Sequence, residues 1–344
     1  MPSKLASCAQ VLFGLGLVIL APARGDNGFV GSQVCAGCHV EIAAQHAGSG
    51  HSKALARAGA HPAAADLARR GAVEIGPNSA IRFYRAGEGL RVWMMAGQEQ
   101  TDLALDWAFG AGAQGVTFVS RLDEAHYLEL GYSDFGASGL ARTPGHAAGP
   151  KSLDEAIGLI YPVDGPKGIR SCFACHSTGG VDFSADGETS VGEIGVGCEA
   201  CHGPGEQHLR DPARIGAGKV TAAGQLVLCG GCHRRPAEAS AVDWQDPWNV
   251  RHAPVYLARS RCFQEGGLGC TGCHSPHAAQ AKAEKNHYRS VCLQCHAEAH
   301  AADAAFADCV DCHMPRVKPH ERLRFTNHWI GIYAEQAPLQ PVRR

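Results

Sequence analysis

The chain has 344 residues with 16 cysteines and 19 histidines, high counts for an ordinary globular chain. Its 31 basic and 33 acidic residues leave a formal charge of −2. Without a strong basic bias it is not read as a nucleic-acid binder.

In chain order, Met1 to Ala23 reads as a secretory signal, with Lys4, an apolar stretch from Val11 to Leu20, and Ala21 and Ala23 before Arg24. That stretch is shorter than the ~20 residues a membrane-spanning helix needs. Export to the periplasm or the cell exterior is therefore expected, with a retained anchor as the alternative. Both places permit disulfides, so the cysteines must be explained by their spacing. Residues 24–70 form a first segment, with alanine-rich helix expected over 40–70. Residues 71–150 read as an α/β insertion with no motif of its own. Ile81–Tyr84 and Leu90–Met94 flank Gly87-Glu88-Gly89 as a hairpin, and Val116–Ser120 pairs with His126–Leu130 around Asp123-Glu124. Ser152 with Glu155 marks a helix start. Residues 151–330 hold six further motifs, and 331–344 form a proline-containing tail expected to be loose.

Fourteen cysteines fall into seven C-x-x-C-H units: Cys35/Cys38/His39, Cys172/Cys175/His176, Cys198/Cys201/His202, Cys229/Cys232/His233, Cys270/Cys273/His274, Cys292/Cys295/His296 and Cys309/Cys312/His313. C-x-x-C-H is the c-type haem attachment signature. Two thiols form thioethers at the porphyrin edge, and the next histidine ligates iron from one side. Paired C-x-x-C also builds zinc sites, but zinc does not require histidine after every second cysteine. Seven covalent haems c are thus expected, and their propionates would make the holoprotein more acidic than its residues. Cys8 leaves with the signal. Cys262 has no partner left and reads as a packing thiol.

Six motifs between Cys172 and His313 leave too little chain for a conventional core. The expected fold class is mainly α with much irregular structure, organised around stacked haems, with a small β insertion. Twelve histidines remain as second axial ligands. Local context favours His51, His208, His277 and His328, with His287 and His300 flanking the sixth motif. His46, His61 and His320 have weaker context. His126 or His252 would suit a proton donor in a distal pocket.

Several stretches resemble the multihaem cytochrome c family that includes cytochrome c554, pentahaem nitrite reductase and octahaem hydroxylamine oxidoreductase. They are Cys35–His39 with Ser49-Gly50-His51, Gly197–Gly205 with His208, Ser260–Phe263, Ser275-Pro276-His277, Cys312–Pro315 and Phe325–Ile330. Thr143-Pro144-Gly145-His146 fits the same pattern, which adds His146 to the ligand set. The resemblance implies His51, His208, His277 and His328 as distal ligands, and haems packed in parallel and perpendicular pairs. No C-x-x-C-K unit is present, which departs from the nitrite reductases. The function expected is electron relay between redox proteins, including a quinol-linked membrane donor. Oxidoreduction of a small nitrogen or sulfur compound at one five-coordinate haem is the alternative. A third reading is a homo-oligomer joined through haem edges.

Overall fold

The computed structural model describes residues 28–184, 187–214, 220–236, 242–279, 287–297 and 308–342. The expected signal and His300 lie outside the described residues. Strands, numbered in chain order, are β1 Leu55–Arg57, β2 Ala72–Gly76, β3 Ser79–Ala86, β4 Gly89–Ala96, β5 Glu99–Leu105, β6 Trp107–Phe109, β7 Thr117–Arg121, β8 His126–Leu130, β9 Tyr132–Asp134, β10 Leu140–Arg142, β11 Gly158–Pro162, β12 Ser177–Phe183, β13 Thr189–Ile194, β14 Arg316–His320 and β15 Leu323–Thr326. Helices are α1 Ser32–Ala36, α2 Val40–Ala47, α3 Pro62–Arg69, α4 Leu153–Ile157, α5 Arg170–His176, α6 Cys198–His202, α7 Glu206–Arg210, α8 Ala222–His233, α9 Ala253–Leu257, α10 Arg261–Gln264, α11 His287–Leu293 and α12 Cys309–His313.

This is a mixed α/β architecture, which corrects the expectation of a mainly α fold with a small β insertion. One sheet has five strands in the order β1-β6-β7-β8-β11, another has four in the order β2-β3-β4-β5, and three pairs complete the set. The longest described helix, α8, has 12 residues. The alanine-rich stretch after His39 does turn helical, but Gly48-Ser49-Gly50, β1 and Pro62 cut it into α2 and α3. Short helices are what a chain punctuated by glycine and by attachment motifs allows. Among the described residues no helix is long and apolar enough to cross a membrane.

The four-stranded sheet is a meander whose alternation was readable from the sequence. Ile81, Phe83, Leu90, Val92 and Met94 point inward and are buried with Leu67, Phe118 and Leu130. The β3–β4 turn falls at Gly87-Glu88, between Ala86 and its partner Gly89. Gly87 has φ +60°, a conformation glycine adopts without strain. A second core lies where the five-stranded sheet meets the motif of α5. Leu55, Trp107, Phe109, Val119 and Tyr127 enclose Phe173, the residue between Cys172 and Cys175. A third joins Val250, Val255, Tyr256, Val317 and Trp329. The second core thus includes a motif residue, Phe173.

Candidate functional site

Each C-x-x-C-H unit occupies about one helical turn, which sets residues i, i+3 and i+4 on one face. Helices α5, α6, α8 and α12 end on the motif histidine. In the other three motifs, the N–H of His39, His274 and His296 donates to the first cysteine's carbonyl at 2.9, 3.0 and 3.0 Å. Two thiols and an imidazole therefore project together from every motif. The motif cysteines in the described residues are free thiols, none joined in a disulfide.

Four motif histidines face a second imidazole drawn from a distant segment. His39 opposes His208 with ring centres 6.1 Å apart and planes 20° apart. His202 opposes His277 at 6.0 Å and 14°. His51 meets His233 at 6.4 Å, and His274 meets His328 at 6.3 Å. A metal held between two imidazoles needs two bonds of about 2.0–2.1 Å plus about 1.1 Å from each nitrogen to its ring centre, or about 6.3 Å in all. The four pairs match that span. Among the described residues no group of three or more His, Cys, Asp or Glu gathers to hold a bare ion. Opposed pairs beside paired thiols suit iron in a porphyrin plane, and they do not suit a zinc cage.

Other details fit a haem. Val40, Val227, Leu228 and Leu209 adjoin motif or ligand residues and are exposed in the polypeptide, where a porphyrin face would cover them. The Nδ1–H of His176 donates to Ala54 O at 2.8 Å, and that of His313 to Gly331 O at 2.9 Å. The Nδ1–H of His328 donates to Thr326 O at 3.0 Å. Such bonds fix the tautomer and leave Nε2 for metal. His208 keeps a buried Nδ1 with no partner. Burial, reinforced by His274, pushes the His328 pKa down to about 4. Burial likewise lowers His176, His233 and His274. All four are thus kept in the neutral form that binds metal.

The loops that carry these opposed histidines are held by buried side chains. Glu199, 4% exposed, accepts from Val30 N, Gly31 N and Gly205 N at 2.8, 2.7 and 2.7 Å. Ser260 donates to His328 O at 2.7 Å and accepts from Ile330 N at 2.8 Å. Asn327 donates to Pro338 O and accepts from Trp329 N. Gly195, at φ +84°, brings β13 against the His51 loop, and Val196 N donates to His51 O. None of these supporting roles was found from the sequence; those of Glu199 toward Val30 and of Ser260 toward His328 depend on contacts between distant segments.

Histidines outside the four pairs are placed differently. His146 bonds Glu129 Oε2 through Nε2 at 2.9 Å, and its buried Nδ1 has no partner. Tyr161 donates to the same carboxylate at 3.2 Å. His287 Nε2 contacts Cys273 O, and His296 is exposed. His61 uses both ring nitrogens, against Gly110 O and Ala63 N. His126 pairs with Asp123 at an exposed turn. His46 lies near His51 and His277, and His320 stacks on Phe135. Burial takes the His252 pKa down to about 4, and its buried Nδ1 is unpartnered.

The motifs also lie against one another. The thiol of Cys35 is within hydrogen-bonding reach of Cys198, Cys175 of Cys232, Cys229 of Cys270, and Cys292 of Cys309. Cys201 neighbours Cys229, and Cys273 neighbours Cys292. All seven motifs are thereby linked through neighbouring cysteines.

Cys38 and Cys295 lie outside their helices. Both are exposed free thiols, as are Cys172, Cys201, Cys232 and Cys312. The neighbour of Cys295 is Cys262, the thiol that belongs to no motif. The physical reason is local. Helix α1 stops at Ala36 and α11 at Leu293, so each of these second cysteines lies on the turn that follows, open to solvent. Their N–H groups donate back to the first cysteine, Cys35 O or Cys292 O, at 3.2 Å in both cases. The spacing of each motif is thus preserved although the polypeptide itself does not enclose the second thiol. Cys312 is exposed as well, but it lies within α12.

Residues 151–203, which contain the second and third motifs, match the family model described as cytochrome c554 and c-prime. The chain is related to the multihaem c-type cytochromes. Among its relatives, the multihaem cytochrome MtrA of Shewanella baltica is 30% identical over 173 residues, or 44% of this chain and 46% of that protein. The match spans about half the length of that relative. The crystal structure of the outer cell wall cytochrome OcwA superposes with a TM-score of 0.52 at 14% identity, covering 88% of this chain and 79% of that one. That likeness shows a shared fold.

Proposed function

We propose that the chain is an exported heptahaem c-type cytochrome that relays electrons. The observation that carries this reading is the set of four opposed imidazole pairs at the span of two metal–nitrogen bonds. Bound at the seven motifs, the haems supply one-electron redox centres. The cysteines of each motif would attach one haem, and His39, His176, His202, His233, His274, His296 and His313 would each supply it with one imidazole ligand. At the first and sixth motifs the exposed Cys38 and Cys295 are free to form the second thioether. His208, His51, His277 and His328 take the second position opposite His39, His233, His202 and His274. His146, His287 and His300 are candidates for the remaining irons, with Nδ1 the nitrogen left to His146. Ligation by two imidazoles would suit one-electron transfer with little rearrangement. Contacts between cysteines of different motifs would bring porphyrin edges close, in a series running from the first motif through the third, fourth, fifth and sixth to the seventh. The second joins at the fourth. Redox proteins of the periplasm or cell exterior, with a quinol-linked membrane donor, are the proposed partners. Contact between copies through haem edges is a further proposal, and nucleic acid is not among the partners.

Film voltammetry of the holoprotein tests the relay. All haems exchanging electrons as one connected set is the expected result, and a haem that fails to equilibrate with the others would count against the series.

A second reading is favoured by one observation. Among the described residues the ring of His176 packs on Phe109, at 5.2 Å, with no second imidazole opposite. Cys172 lies beside Glu129 and Tyr161. A five-coordinate iron there would act on a small nitrogen or sulfur compound. It requires a high-spin ferric signal together with turnover of nitrite or hydroxylamine.

A further inference from the structure

Glu199 lies between Cys198 and Cys201, yet its carboxylate serves a different motif. Oε1 accepts from Val30 N at 2.8 Å and from Gly205 N at 2.7 Å, and Oε2 accepts from Gly31 N at 2.7 Å. Val30 and Gly31 lead directly into α1, which brings Cys35 and then His39. Gly205 leads into α7, which carries His208. One buried carboxylate thus grips the chain just before both members of the His39–His208 pair. Ser32 adds to the joint, its Oγ accepting from Cys198 N at 3.0 Å. Across it the thiols of Cys35 and Cys198 meet.

We propose that Glu199 is a positioning residue for the iron bound by His39 and His208, and that it sets the approach of the first and third attachment sites. The inference rests on the bis-histidine reading of that pair. Neither α1 nor α7 exceeds five residues, so neither supplies enough internal hydrogen bonding to hold its own place. Both entry strands lend their free N–H groups to the carboxylate instead. Charge-assisted bonds of this kind are about twice as strong as neutral ones. They fix the rings at 6.1 Å with planes only 20° apart.

The test uses the full holoprotein with seven haems quantified, reading low-spin ferric signals by EPR. His208→Ala identifies the signal that belongs to this pair. Glu199→Ala is expected to convert part of that same signal to high spin, with His208 ligation weakened about tenfold, and added imidazole restores it. Glu199→Gln keeps one carbonyl oxygen for Val30 and Gly205 but sets an amide against Gly31 N, so a smaller shift of the same signal is expected. The inference is overturned if Glu199→Ala leaves that signal unchanged. Equal disturbance of the signal that His328→Ala removes, or loss of several haems in both Glu199 variants, would overturn it too, by marking a general folding role. If His208→Ala itself removes no low-spin signal, the bis-histidine reading has failed, which is a separate outcome.

Discussion

Phe173→Ala tests whether the β structure and the second haem attachment are one unit. Phe173 is fully buried and sits inside the motif, between Cys172 and Cys175. Its ring meets Trp107, Phe109, Tyr127 and Phe183 edge-on, with centres 5.4, 5.1, 6.4 and 5.6 Å away. Truncating such a phenylalanine costs about 3–5 kcal/mol, and four edge-to-face partners put this site near the upper end. At roughly 2 °C per kcal/mol for a chain of this size, the thermal midpoint should fall by about 10 °C. Thermal unfolding followed by far-UV circular dichroism and, separately, by Soret absorbance would measure it. Phe83→Ala is the control: Phe83 is 2% exposed in the other large core. It should lower the midpoint comparably while leaving the native haem spectrum unchanged, whereas Phe173→Ala should alter both. A fall under about 2 °C with an unchanged Soret band would refute the idea that these aromatics anchor α5.

Three further outcomes follow from the geometry. His51→Ala and His208→Ala should each convert one low-spin haem to high spin without loss of haem, and additively in the double variant, read by EPR, because the pairs share no ligand. Ser260→Ala removes two hydrogen bonds around His328 and should cost about 1–3 kcal/mol in chemical denaturation, with the His274–His328 signal the one most altered. Gly195→Ala forces a left-handed φ of +84° on a residue whose Cβ would lie 2.2 Å from Ser52 O. It should cost well over about 1 kcal/mol and disturb the His51 signal before the others, visible in parallel EPR and melting experiments.

The grouping of each motif's side chains was legible because it is local: cysteine, cysteine and histidine lie within five residues, and one helical turn suffices to gather them. Where each second thiol sits was not, since Cys38 and Cys295 lie on turns beyond their helices whereas Cys175 and Cys232 lie within theirs. The hairpin at Gly87 was legible because its alternating strands and turn residues are contiguous. The extent of β structure was hidden. Strands β9 and β10 have three residues each and β12 is broken by Gly179-Gly180, while β11 acquires its pairing from a distant strand, Leu130 opposing Gly158. The helical reading of 40–70 overestimated continuity because it weighed alanine content over Gly48-Ser49-Gly50 and Pro62. Which histidine faces which motif was beyond the sequence, since His51 reaches His233 and His328 reaches His274 across long stretches of chain. Glu199 carried no signal at all, because its three donors come from segments on either side of another motif.

The central claim is best tested by low-temperature EPR of the purified oxidised holoprotein, with covalent haem quantified on the same sample. Seven haems per chain, with low-spin bis-histidine signals for at least the four pairs built on His39, His202, His233 and His274, is the predicted result. Fewer than four low-spin haems, or motif cysteines that carry no covalent haem, would contradict it.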